Sequence, residues 1–339
     1  MVDFRSDTVT TPTPEMREAM KNALVGDDVF EDDPTVRELE EKAAERLGHE
    51  AGLFVVSGTM GNQVCIKAHT RSGDEIILDP RSHIFNHEVG MAAAFSGVQT
   101  HPVDIWNPTE IESAIRAEDI HNPETGLICL ENSFESFRGR PMPVALTEQI
   151  CDLGARHEIP VHIDGARIFN AAAALKVDVR EIAARADSVM FCLSKGLAAP
   201  IGSMVVGSRE FIHRARKVRK MMGGGMRQVG VLAAPGLIAL EVMTRRLDGD
   251  HRNARLLAGG LRSLPQIEFL HEVETNILLF RLRDTSLSIE DLSERLQKRG
   301  IKTLPGAHGQ MRMVTHKDIS SEDVSTTVEA FRDIFRRET

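Results

Sequence analysis

Asp164 closes the apolar run Val161-His-Ile163, and Lys195 follows a second apolar run that spans residues 188–193. In an open parallel sheet the carboxyl ends of the strands face the ligand crevice, so both side chains are expected at one crevice despite the helical insert between them. A carboxylate beside an ammonium can be a plain ion pair. It can also be a chemical pair, in which the amine forms an imine with an aldehyde and the acid keeps a ring nitrogen protonated.

A third turn bears on that choice. Ser57-Gly-Thr-Met-Gly-Asn62 follows the first strong strand pattern and opens a helix. Its small residues let backbone approach an anion, and the N–H groups at the helix start favour phosphate. It is neither a Walker loop nor a G-x-G-x-x-G fingerprint. Together the three turns offer a phosphate cradle, a carboxylate and a lysine. Those are the parts required by an aldehyde cofactor with a phosphate handle, pyridoxal 5'-phosphate.

The elements that must position these residues follow an alternating pattern. Apolar runs at 53–56, 75–78, 127–130, 161–163 and 189–193 read as buried strands. Helical spacing is found at about 60–69, 88–95, 110–117, 144–156 and 168–175. Such alternation predicts an α/β fold around an open, mostly parallel sheet. The segment 200–207 arrives without an intervening helix and is expected to pair antiparallel. Helices are predicted near 209–221 and 229–246. Strict alternation ends after about Gly249, so the expected domains are 1–248, a large cofactor-binding unit, and 249–339, a small α+β unit.

Composition excludes several function classes. The 339 residues are 42% hydrophobic and 27% charged, with a net charge of −9. That balance fits a globular protein and argues against a nucleic-acid partner. Four cysteines stand singly without C-x-x-C spacing, as buried thiols do in a reducing compartment. No apolar stretch approaches membrane-spanning length, and the first residues carry no apolar signal core, so a cytoplasmic location is expected. A metal is not expected, because no H-E-x-x-H pattern is present and His83 and His87 have no third ligand in view. There are 14 Phe and no Tyr.

Taken together, Phe4-Arg-Ser-Asp-Thr-Val-Thr10, Ser57-Gly-Thr-Met-Gly-Asn62, Ser82-His83, His162-Ile-Asp-Gly-Ala-Arg167, Ser194-Lys-Gly-Leu197, Gly224-Gly-Met-Arg-Gln228 and Arg312-Met-Val-Thr-His316 make the chain resemble the L-threonine aldolase family. These are pyridoxal-phosphate enzymes of the β-eliminating lyase superfamily with an aspartate aminotransferase-like fold, and the likeness runs nearly end to end. It implies PLP fold type I: a mostly parallel seven-stranded sheet in a large domain plus a small α+β domain, with residues 1–13 packing at the active site. It implies Lys195 as the cofactor lysine, Asp164 on the pyridine nitrogen and His83 over the ring. Gly58 and Thr59 would hold the phosphate, with Arg227 arriving from a neighbouring subunit of a homotetramer. Ser6, Arg167 and Arg312 would bind the substrate carboxylate. The implied reaction cleaves L-threonine, L-allo-threonine or a related β-hydroxy-α-amino acid to glycine and an aldehyde.

Four positions depart from the family pattern. Phe134 and Glu135 stand where a histidine and an asparagine are usual, and Asn86-His87 where an aromatic pair is usual. A phenyl ring neither accepts a proton nor bonds a hydroxyl. The expectation is therefore an altered substrate pocket, with His87 or Glu135 partly replacing the missing imidazole. Phe30, in place of a tyrosine, reads as drift. The same departures leave open a racemase or β-eliminating lyase on the same scaffold, and a non-catalytic relative that only binds cofactor.

Overall fold

A computed structural model describes residues 1–134, 139–306 and 309–336. Seven strands form the main sheet: β1 (Ala51–Val55), β2 (Glu75–Leu78), β3 (Gln99–Pro102), β4 (Thr125–Glu131), β5 (Val161–Asp164), β6 (Ser188–Cys192) and β7 (Ser203–Gly207). Their order is β1-β7-β6-β5-β4-β2-β3. β7 runs antiparallel to both its neighbours, as its helix-free connection predicts, and the remaining pairs are parallel. The carboxyl ends of β1, β2, β4, β5 and β6 therefore share one edge. Strands β2, β5 and β6 are buried throughout, which accounts for the mostly apolar runs that mark them.

β3 has no such run and escapes detection in the sequence. It is an edge strand with exposed ends, tied to β2 by polar contacts. His101 Nδ1 lies 2.8 Å from Glu75 Oε1, and Gln99 Nε2 donates to Glu75 Oε2 at 3.0 Å.

The small antiparallel sheet contains β8 (Ile267–Phe269), β9 (Ile277–Leu282), β10 (Leu304–Pro305) and β11 (Gln310–Val314), in the order β10-β11-β9-β8. A separate apolar cluster forms around it from Phe4 and residues 254–335, including Leu257, Phe280 and Phe331. Helix Leu247–Arg262 is continuous through residues 248–249. The N-terminal segment crosses between the two clusters, with Val2–Asp3 pairing in parallel with Ile301–Lys302. No helix among the described residues is long and apolar enough to cross a membrane.

One local difference from the sequence reading matters for the site. Helical spacing suggests a helix from Glu88, but regular structure resumes only at Ala92–Ser96, as a π-helical turn. Val89 and Gly90 both adopt positive φ, 56° and 66°, which breaks any helix there. The break turns Glu88 inward.

Candidate active site

The shared strand edge carries a cavity of about 200 Å³, lined among others by Gly58, Thr59, His83, Arg167 and Lys195. It opens into a wider vestibule of about 750 Å³ that reaches Ser6, Arg81, Asn86, His87 and Arg312. Each connection from a strand end delivers one part. Ser57 caps helix Gly58–His69, its Oγ accepting the Met60 N–H at 3.2 Å. This places the unpaired N–H groups of the first turn at the cavity wall. A Cβ on Gly61 would lie 2.5 Å from Met190 Cγ on β6, so only glycine lets the helix start seat this closely on the sheet.

Asp164 ends β5, in register with Glu131 at the end of β4. It is 2% exposed and accepts from Asn62 Nδ2 at 2.8 Å and from the Ala166 N–H at 3.1 Å. Lys195 follows β6, and Thr10 Oγ1 donates to its carbonyl at 2.8 Å. The N-terminal segment thus touches the lysine turn directly.

His83 opens a single helical turn, His83–Asn86, with its backbone N–H donating to Glu131 Oε2 at 2.8 Å. Its Nδ1 lies 2.9 Å from Glu88 Oε1. That hydrogen bond raises the His83 pKa above its ordinary value, against the opposing effect of burial. The His87 ring stands 5.5 Å from the His83 ring, so both imidazoles share a face, as their four-residue spacing predicts.

Behind the cavity, Asn62 joins several groups. Its Nδ2 donates to Glu88 Oε1 and Asp164 Oδ2, both at 2.8 Å, and its Oδ1 is 3.2 Å from His162 Nε2. His162 Nδ1 lies 3.0 Å from Ser188 Oγ. Accepting at Oδ1 fixes His162 as the Nε2–H tautomer. Burial pushes the His162 pKa down to about 4 and that of His69, beyond Ser188, down to about 3.

His83, Glu88 and Asp164 place ligand-type atoms within 4.8 Å of one another. Asn62 and Gln63 aim N–H donors at these carboxylates, and a cation would meet the same donors. The set therefore suits hydrogen-bonded carboxylates.

Arg167 lines the cavity, but Nε and Nη2 engage both oxygens of Asp7 at 2.9 and 2.7 Å. Burial pushes the Asp7 carboxyl up. The Arg167 guanidinium outweighs it, helped by Lys195 and Arg312, and holds the pKa at about 2. Arg312 lies on β11, opposite Leu279 of β9 and Leu304 of β10, and faces the vestibule.

Two expected site residues lie elsewhere in this chain. Arg227 pairs with Asp27 at 3.1 Å at the surface. Phe134 has no exposed surface, so it cannot form a cavity wall. Its ring packs edge-on to Trp106 at 6.5 Å and lies 6.0 Å from the Arg81 guanidinium, which does line the vestibule. A large planar apolar group here gains more from the core than from the pocket. Glu135 lies outside the described residues. Phe30 is exposed.

Sequence reasoning passed over Asp7, Asn62 and Glu88. The first two sit inside the motif segments already singled out. For Glu88 the available signal was Gly90, two residues on, which interrupts the apparent helix.

A helix start, a carboxylate and a lysine converging at one edge of a mostly parallel sheet define the site of a fold type I pyridoxal-phosphate enzyme, here a lyase. Solved structures agree on the fold. The Leishmania major threonine aldolase superposes with a TM-score of 0.83 over 98% of this chain and 99% of that one, at 19% identity. PLP-bound serine palmitoyltransferase from S. paucimobilis gives 0.78 over 99% and 87%, at 16%. The beta-eliminating lyase family model matches residues 3–285. The chain is 45% identical to low-specificity L-threonine aldolase 1 of Arabidopsis thaliana, over 98% of its own length and 95% of the relative. Against the low specificity L-threonine aldolase of Escherichia coli K12 the identity is 38%, over 99% and 100%. The chain belongs to the beta-eliminating lyase family, in its threonine aldolase group.

Proposed function

We propose that this chain cleaves L-threonine, L-allo-threonine or a related β-hydroxy-α-amino acid to glycine and an aldehyde, with pyridoxal phosphate as cofactor. The observation that carries the reading is the meeting of Lys195, the Asp164 network and the Gly58–Thr59 helix start at one cavity. The donor set fits the cofactor: backbone N–H groups for a phosphate, a buried carboxylate for a ring nitrogen and an amine for an aldehyde. When bound, pyridoxal phosphate supplies an electron sink for the pair left on Cα as a bond to it breaks.

The protein's own residues then decide which bond breaks. The bond that breaks would be the one that these residues turn towards the bound cofactor. Ser6, Arg167 and Arg312 are assigned to the substrate carboxylate, and a guanidinium grip of this kind fixes the rotation about Cα. Asp7 fixes Arg167 in turn. His83 is assigned to the ring face. Residues beyond the carboxylate, namely Arg81, Asn86 and His87, bound the space for the β-substituent. Phe134 lies beneath Arg81 in the core, so no imidazole meets the β-substituent from that position, and the open vestibule is proposed to accept β-substituents bulkier than methyl. Arg227 is assigned to the phosphate of a neighbouring subunit in a homotetramer, and residues 1–248 and 249–339 to the large and small domains.

The direct test is glycine release from threonine, allo-threonine, phenylserine and β-hydroxyaspartate, alongside the absorbance band of the bound cofactor. Glycine release from at least one substrate, with activity and band both lost in Lys195→Ala, is the expected result. A band without glycine release, but with a D-amino acid or a 2-oxo acid plus ammonia, would move the reading to a racemase or β-eliminating lyase. Light scattering should find a dimer or tetramer, and a fully active monomer contradicts the shared site.

A further inference from the structure

The proposed cleavage needs a group to take the proton from the β-hydroxyl, and position 134 offers no imidazole. We propose that Glu88 is a positioning residue that fits His83 for this task, by holding Nδ1–H and leaving Nε2 to face the substrate. The inference rests on the aldolase reading for its chemistry, but not for its geometry.

Glu88 is 1% exposed and receives three converging donors. Asn62 Nδ2 lies 2.8 Å from Oε1, Gln63 Nε2 2.6 Å from Oε2 and His83 Nδ1 2.9 Å from Oε1. The amides have carboxylates on their donor sides, and Asn62 has His162 on its acceptor side, so neither the Asn62 orientation nor that of the Glu88 carboxylate is free to invert. An acceptor-only carboxylate 2.9 Å from Nδ1 demands Nδ1–H, whatever the charge on the ring. Neutral His83 is then basic at Nε2 alone. Among the described residues Nε2 has no hydrogen-bond partner, and the ring borders both cavity and vestibule. This is the arrangement by which a buried carboxylate orients a general base.

The groups facing His83 come from every surrounding element. Glu88 and Asp164 favour its protonated form and Lys195 opposes it. The Glu131 carboxylate meets its backbone N–H, and the His87 and Arg167 side chains border the same space. The Glu88 contact dominates, and its sign is to strengthen Nε2 as a base. In the proposed step the β O–H bond breaks as Nε2–H forms. The freed oxygen pair closes the aldehyde C=O, the Cα–Cβ bond breaks, and its electron pair stays on Cα until a proton is returned there to complete glycine.

Nitrogen-15 NMR of the histidine-labelled holoenzyme tests this without substrate, with His83 assigned by comparison with His83→Asn. His83 should titrate above the ordinary histidine range and be the Nδ1–H tautomer when neutral. An Nε2–H tautomer in the wild type overturns the proposal outright, whether or not any variant folds. Glu88→Gln and Glu88→Asp should each lower the His83 pKa and move the acid limb of the glycine-release profile to lower pH. On the scale of general-base contributions, roughly 10²–10⁴-fold, they should also lower maximal turnover while leaving KM nearly unchanged. A folded variant with unaltered His83 titration and pH profile also overturns it. If the NMR result holds but no substrate yields glycine, the Glu88–His83 pair stands and the aldolase reading fails.

Discussion

The cofactor side of the cavity and its vestibule are built differently. On the cofactor side, Asp164, Glu88, Asn62 and His162 are all at most 2% exposed, and each of these four side chains hydrogen-bonds to a partner from another element. The vestibule is framed by half-exposed side chains from separate turns, with Arg81 held to Asp79 and His87 facing solvent. A preorganised, dry network suits chemistry common to many substrates, because electrostatic groups act most strongly where nothing must reorganise. An open rim suits the choice among substrates. On the proposed reading, the fixed side would hold the cofactor, and the rim can drift.

Removing a partner from the buried side should therefore cost most. Asp7→Ala removes the carboxylate of a buried ion pair with Arg167 and should destabilise the fold by about 3–5 kcal/mol in denaturant melts. The same pair sets an acid limb. Because the native Asp7 pKa is depressed to about 2, its stabilisation is complete above the unfolded value near 3.9 and lost as pH falls through about 2. Asp7→Ala should flatten that limb, and an unchanged limb would show that Asp7 is not the group responsible.

Asp164→Asn should come next, lowering turnover by roughly 10²–10³-fold, as loss of a preorganised electrostatic group does, with the fold retained by circular dichroism. At the vestibule, Arg312→Ala should mainly raise KM, by about 10- to 150-fold, the worth of a hydrogen bond to a charged group at 1.5–3 kcal/mol. An effect on turnover alone would sharpen the comparison against us, placing Arg312 with the cofactor groups.

The buried histidines give a smaller, graded effect. His162 has a native pKa near 4 and an unfolded value near 6.5, so its contribution is intact above 6.5 and is lost as pH falls towards 4. Each such group steepens acid destabilisation by at most about 1.4 kcal/mol per pH unit, and His162→Gln should relieve that slope in melts between pH 6.5 and 4. Smallest of all should be His87→Ala, which is expected to change turnover by less than about fivefold while shifting the preference among β-substituents. A hundredfold loss would instead put the hydroxyl proton on His87.

Much of this division is legible in the sequence. Buried strands reveal themselves through mostly apolar runs, so the strand ends carrying Asp164 and Lys195 could be placed on one edge, and the antiparallel β7 follows from its short connection. β3 was invisible because an edge strand tied by Glu75 needs no apolar run. Glu88 was hidden for the opposite reason, since its surroundings mimic helical spacing and only positive φ at Val89 and Gly90 reveals the break. Phe134 shows the limit of position-by-position comparison. The substitution was plain in the sequence, but the burial of its ring beneath Arg81 depends on Trp106, from a different connection.

The central claim, that the fixed side of this site serves carbon–carbon cleavage, can be tested most directly by proton NMR of the holoenzyme with L-allo-threonine in deuterated buffer. The account predicts glycine and acetaldehyde in equal amounts, with deuterium at the glycine Cα. Consumption of substrate to a 2-oxo acid and ammonium, or exchange and inversion at Cα without acetaldehyde, would contradict it.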